Sequence, residues 1–243
     1  RRHTRFRNVT GVQTCALPIS QDPVNLGRPN PNFANVNQYG GQGDSSYDGF
    51  TLSVQGSRGH WASVRLSYTY SKAIDNTGNA FFSAPQDNFN LRDNRGLSDN
   101  DQRHRLSLSG HVSTPVRGGS ALSRIASGFR LSPILTYGSP YPFNILTGGQ
   151  TLQTTPARPL GFGRNTGRGF ATATLDLRLS RTLALTESVS IEILAESFNL
   201  LNRTNLQFPN ATWGTGATPV AAFGQATGAA DPRQLQFGVR LKK

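Results

Sequence analysis

Residues 61–70, "WASVRLSYTY", decide the fold. Ala62, Val64, Leu66, Tyr68 and Tyr70 take alternate positions, and Ser63, Arg65, Ser67 and Thr69 fill the positions between them. Successive side chains of a strand point to opposite faces, so the segment reads as a strand with one apolar and one polar face. The same period precedes it in "FTLSVQ" (50–55) and returns in "RLSLSGHV" (105–112), "ATLDLRLS" (173–180) and "QLQFGVRLKK" (234–243). Weaker matches are "FANVNQY" (33–39), "GFRLSPILTY" (128–137) and "SVSIEILAESFN" (188–199). In the last, Leu194 and Phe198 break the alternation, and Pro133 marks 128–137 as an irregular or bulged strand.

Connection lengths sort the all-β architectures. Links near 40–46, 56–60, 113–127 and 181–187 are short or moderate, whereas 71–103, 138–170 and 201–233 are long, and all three long ones fall at one end of the sheet. Soluble sandwiches rarely carry several connections beyond about 12–15 residues. Outer-membrane barrels have short periplasmic turns and long extracellular loops, on strands apolar toward lipid and polar toward the lumen. The expectation is therefore an antiparallel up-and-down transmembrane β-barrel fragment of about eight strands. Tyr47, Tyr68, Tyr70 and Tyr137 stand at the long-loop ends, with Trp61 and Phe129 at the opposite ends, as two interfacial girdles would.

Composition agrees by exclusion. No run of about 18 apolar residues exists, so no transmembrane helix is expected, and 26 Gly with 14 Pro interrupt most windows that could hold a long helix. The formal charge of +12 suggests an anionic partner, but four of its arginines (Arg1, Arg2, Arg5, Arg7) crowd the opening stretch and the others are scattered singly. A phosphate-tracking surface needs a contiguous basic stripe with stacking aromatics, so no nucleic-acid partner is expected.

Together "SSYDGFTLSVQ", "ASVRLSYTYSKAIDN", "RGLSDNDQRHRLSLSG", "SPYPFNI", "GRNTGRGF", "LDLRLSR", "AESFNLLNRTN" and "DPRQLQFGVRL" resemble the C-terminal part of a TonB-dependent outer-membrane receptor of the Oar-like type, which carries a carboxypeptidase-regulatory-like N-terminal domain. The resemblance runs from about residue 31 to 241. It implies a barrel of about 22 strands closed by a plug, with a TonB box coupling it to inner-membrane energy. It implies outer-membrane lipid, the TonB complex and an unidentified ligand as partners. Neither plug nor TonB box is visible here, and the eight strands are expected to be the last part of the wall. The resemblance also implies a closing aromatic on the outward parity of Leu235, Phe237, Val239 and Leu241, where this chain has Lys243; either the chain stops a little early or its assembly signal is impaired. The alternative is a structural or adhesive envelope barrel without energy coupling.

The opening stretch belongs to neither reading. "VTGVQTCALPI" (9–19) resembles, codon for codon, the translation of a short-read sequencing adapter, and "RRHTR" (1–5) resembles the primer text upstream in the same frame. The expected division is thus non-native adapter translation over 1–19 and barrel over 20–243. The one cysteine, Cys15, then carries no information on redox compartment.

No catalytic, cofactor or metal site is read, and no enzyme is expected. "GFGRNTGRGF" (161–170) lacks the preceding apolar strand and following helix of a phosphate cradle and reads as a flexible extracellular loop. "DNFNLRDNRGLSDNDQRH" (87–104) lacks the calcium-loop spacing, and its Asp, Asn and Arg side chains are expected to bond within the loop, with Arg103 and Arg105 pairing locally. His60, His104 and His111 show no zinc spacing, and Ser107, His104 and Asp101 form no more than a compositional triad. The candidate functional groups are the lumen-facing charges Arg65, Arg105, Asp176, Arg178, Glu192 and Glu196, since charge on the lipid face at mid-depth costs about 2–4 kcal/mol. Ion-pair ladders holding strands in register are favoured over substrate contact for them.

Overall fold

The structure, a computed structural model, describes residues 6–7, 13–16, 37–41, 43–78, 86, 90–115, 125–148, 158–159 and 161–243, with the backbone alone up to residue 40. In chain order the strands are β1 (Phe6–Arg7), β2 (Gln13–Ala16), β3 (Asn37–Gly40), β4 (Ser45–Arg58), β5 (Ala62–Asp75), β6 (Gly96–Leu97), β7 (His104–Ser113), β8 (Phe129–Gly138), β9 (Pro142–Phe143), β10 (Gly167–Arg168), β11 (Thr172–Ala184), β12 (Ser190–Phe198) and β13 (Gln234–Lys242). Strands β4, β5, β7, β8, β11, β12 and β13 form one antiparallel meander, each paired with the next. Short β6 adds to β5 at its outer end and β1 to the far edge of β4. The sheet does not close on itself.

The strand expected at 33–39 is not in this sheet. Its described part, β3, pairs with β2 in a separate two-stranded sheet, and 33–36 lie outside the described residues. The sequence "NQYG" offers a single large apolar residue, too little to claim a place on an apolar face. Pro133 has a smaller effect than its residue type suggests. β8 keeps one register against β7 on both sides of it, with no bulge, and the ladder lapses only opposite Gly110 and His111. A missing N–H removes one rung without shifting the pairing.

Register assembles the alternation into two faces. Val54, Leu66, Leu108, Leu135 and Leu175 lie side by side across five strands. Ala62, Val112, Leu131, Leu179, Ala195 and Phe237 form a second such row across six. The opposite face is hydroxyl-rich, and Thr51–Thr69 (3.1 Å), Thr136–Thr174 (2.7 Å) and Ser63–His111 (2.7 Å) bond across it.

Burial inverts the soluble pattern. Among the described residues the buried apolar side chains are Ile145 and Leu194, while buried polar ones include Asp101, Arg164, Asn165 and Asn205. Phe237 is 77% and Val239 73% exposed. A soluble β-enzyme of this size would enclose its apolar rows in a core; here they face outward, which hydrocarbon tolerates and water does not. Leu194 is buried on the polar face because β13 has Gly238 opposite it, where an added Cβ would come within 3.1 Å of Leu194.

Aromatic and basic groups mark both ends of the apolar band. At the long-loop end the Tyr68 hydroxyl lies 2.8 Å from His104 Nδ1, and the Tyr70 ring lies 5.2 Å from that imidazole. Tyr47 stands at this end too, but its pairing with Ala73 gives it polar-face parity. At the short-turn end Arg58 sits over Trp61 (5.6 Å) and Arg181 over Phe129 (4.8 Å). An amphipathic ring with a polar or cationic partner suits a headgroup layer.

Candidate functional site: the inner wall and its outer loops

Of the six charges read from the sequence, the structure joins three. Arg178 on β11 lies 3.3 Å from Glu196 and 3.6 Å from Glu192, both on β12. Glu192 in turn meets Lys242 (2.9 Å) and Arg240 (3.8 Å) on β13. One carboxylate, 8% exposed, thus ties three consecutive strands on the polar face. Asp176 acts differently: its Oδ1 accepts the Asn199 backbone N–H (2.8 Å) and caps the end of β12. Arg65 and Arg105 are exposed on the inner face and have no ion pair among the described residues.

Arg105, exposed on the polar face of β7, has no local ion pair among the described residues, contrary to expectation. Arg103, just outside β7, reaches Asp101 at 3.3 Å. Arg240 and Lys242 belong to the ladder but were not among the six; alternation alone assigns their face, and only the β12–β13 register brings them to Glu192.

The outer loops hold the larger surprise. The segment read as flexible is anchored at its centre, where Arg164 and Asn165 are 4% and 1% exposed. Arg164 pairs with Asp75 at the top of β5, donates to Thr77 O (2.8 Å) and lies 3.4 Å from Asp99. Asn165 donates to Leu97 O (2.7 Å) and Asp99 Oδ1 (2.6 Å) from a left-handed backbone (φ 54°), which Asn adopts more readily than most residues. Gly96 permits the approach, since a Cβ there would stand 2.6 Å from Arg164 O. Arg158 adds bonds to Asn94 Oδ1 (3.0 Å) and Gln86 Oε1 (3.1 Å). Burial, then neighbouring Arg164, pushes its guanidinium below the ordinary arginine range, opposed by Asp93. The loop between β5 and β7 is thereby fastened to the loop between β8 and β11, rather than bonded only within itself.

A second tie links the loop between β12 and β13 to β11. In "NLLNRTN" (199–205), Asn199, Asn202 and Asn205 recur every three residues. Asn199 and Asn202 take φ 49°, and their Oδ1 atoms accept the Arg203 and Arg233 N–H groups. Asn205 pairs both ways with Ala173, accepting its N–H and donating to its C=O, each at 2.9 Å. That amide replaces β12 on β11 where β12 has ended. Asn202 and Asn210, which match glycosylation spacing, are both turn formers: Asn210 Oδ1 accepts the Thr212 N–H at 2.9 Å.

Between these outer loops lies a cleft of about 450 Å³ lined by Tyr141, Phe143, Phe170, Leu206, Phe208 and neighbouring groups. In the outer loops the Trp213 ring meets Phe162 at a tilt (5.2 Å) and Phe223 edge-on (5.1 Å). Among the described residues no group of three His, Cys, Asp or Glu is placed to hold a metal.

Several solved structures resemble this one. The outer membrane transporter YddB from Escherichia coli aligns over 98% of this chain and 29% of its own, with 13% identity and a TM-score of 0.55. FpvA from P. aeruginosa, solved with a pyoverdine and iron, aligns over 98% and 23%, with 12% identity and a TM-score of 0.52. The chain therefore spans about a quarter of the length of these relatives and shares their fold. No curated protein gives a significant sequence match. The model of the outer membrane beta barrel domain matches residues 8–161 and 155–236, and this chain, with its apolar outer face and polar inner face, belongs to that family and to the bacterial outer membrane.

Proposed function

We propose that this chain is part of the barrel wall of a TonB-dependent receptor that moves a ligand across the outer membrane. The observation that carries the reading is the open sheet. Among the described residues no strand pairs with the far edge of β13, and β4 is covered on its far edge only by two-residue β1. Hydrocarbon cannot satisfy exposed N–H and C=O groups, so a membrane wall of this form needs further strands. The fold shared with about a quarter of two larger chains supports the same view. In such a receptor the ligand binds at the outer loops and plug, and force from TonB opens a path along the polar face. The Oar-like type, with its carboxypeptidase-regulatory-like domain, remains part of this proposal on the sequence motifs.

Residues 1–19 form the other part. We infer that they are adapter translation and that barrel sequence starts near Ser20, although the family match begins inside that stretch. A single-molecule read across the source locus tests both inferences. The proposal predicts that codons 1–19 are absent there and that a plug and TonB box precede the barrel in frame. A continuous frame through 1–19 with no plug ahead would favour a structural or adhesive barrel without energy coupling.

A further inference from the structure

The inner wall divides into two unlike halves. On β11–β13, Asp176, Glu192 and Glu196 are matched in number by Arg178, Arg240 and Lys242. On β4, β5, β7 and β8, the inward positions within 51–57, 63–69, 105–111 and 130–136 are mostly Ser and Thr, with Arg65, Arg105 and Arg130 and no carboxylate. All three arginines are exposed and without an ion pair among the described residues. Excess positive charge thus lies on one side of the lumen, on a wall otherwise built of hydroxyls.

Of the three, Arg65 lines a depression among the described residues. Register places Gln55 and Ser109 directly beside it, and the next inward row is Ser57, Ser63 and His111. A cavity of about 200 Å³ is lined by Gln55, Ser57, Ser63, Arg65 and Ser109 together with Gly56, Val64 and Gly110. The Ser63–His111 pair (2.7 Å) keeps one donor spare in either neutral tautomer. If the hydroxyl donates to Nδ1, Nε2–H is left over; if Nδ1–H donates, the hydroxyl proton is. A guanidinium fork, hydroxyls and an amide on one surface, with no acid among the neighbouring inward positions, match a group bearing several acceptor oxygens and negative charge.

We propose that this depression binds an oxyanion from solution, a phosphate, sulfate or carboxylate, as a station on the lumen wall. The proposal depends on which face lines the lumen and not on energy coupling. The test uses the complete protein extracted from outer membranes into zwitterionic detergent, with inorganic phosphate as probe and ³¹P line broadening as readout. Saturable binding is expected, displaced by sulfate and weakened at least about tenfold in R65Q, since hydrogen bonds to charged groups carry about 1.5–3 kcal/mol. R65K should retain part of it. R105Q, on the same wall but outside the depression, should bind nearly as the parent does. Far-ultraviolet circular dichroism and heat-dependent gel mobility check that the variants fold. Absence of saturable phosphate binding, including absence because another part of the polypeptide occupies the depression, overturns the proposal. So does equal weakening by R65Q and R105Q, which would report a diffuse field rather than a site.

Discussion

Replacing Arg164 with alanine tests whether the outer loops are fastened to one another or merely adjacent. The Arg164 side chain is 3% exposed and its partner Asp75 10% exposed, so removing the guanidinium strands a buried carboxylate and frees Thr77 O. Breaking a buried pair from one side typically costs about 3–5 kcal/mol. With each 1.4 kcal/mol worth about tenfold, local opening should become roughly a hundred to a few thousand times more frequent. Hydrogen exchange reads this directly at Ser98 N and Asp101 N, bonded to Ala73 O and Ser98 O, and at Asn165 N, bonded to Asn144 Oδ1. R164K keeps the charge without the fork and should fall between the parent and R164A. Mid-strand amides of β7 should not change. Unaltered loop exchange in R164A, or equal acceleration in loops and strands, would refute the staple.

Three further outcomes follow from the geometry. Asn205→Ala should expose the Ala173 N–H and C=O, destabilise the outer end of β11 by about 1–3 kcal/mol and raise exchange at Ala173; Asn205→Asp keeps the acceptor but sets a carboxylate oxygen against the Ala173 C=O and should not restore the parent's stability. Leu108→Arg, in the middle apolar row, should lower folding stability in lipid by about 2–4 kcal/mol in a urea titration, while Ser107→Arg on the inner face should be nearly neutral. A double-mutant cycle of Glu192 and Lys242 should give a coupling of about 0.2–1 kcal/mol, modest because Lys242 is 44% exposed, and its salt dependence separates it from packing.

Strands were legible because lipid and lumen impose opposite demands on alternate residues, as in β5, β7, β11 and β13. Their ends were less so: β5 runs on to Asp75, through the "SKAID" residues where the polarity no longer alternates cleanly, because hairpin pairing outlasts the membrane-driven pattern. Parity also placed Glu192 and Glu196 on the inner face, but finding Lys242 needed the β12–β13 register. Arg164 and Asp75 are 89 positions apart, and no local period links them. Its glycine-rich surroundings read as a mobile loop because burial there comes from another loop. Leu194 broke the alternation for a reason visible only in Gly238, one strand away. The three-residue spacing of Asn199, Asn202 and Asn205 stands in the sequence, but the partners that give it meaning, Ala173 and Arg233, lie 32 and 31 positions away.

The account rests on which face of the sheet meets lipid. In a Cys15→Ser background, single cysteines at positions 174 to 179 of β11, spin-labelled in the folded protein in lipid, measure it directly. Labels at 175, 177 and 179 should be accessible to dissolved oxygen and shielded from a water-soluble nickel chelate, and labels at 174, 176 and 178 should show lower oxygen access. A strict period of two confirms a barrel wall. Equal accessibility on both parities, or chelate access greater at Leu175, Leu177 and Leu179, would contradict it.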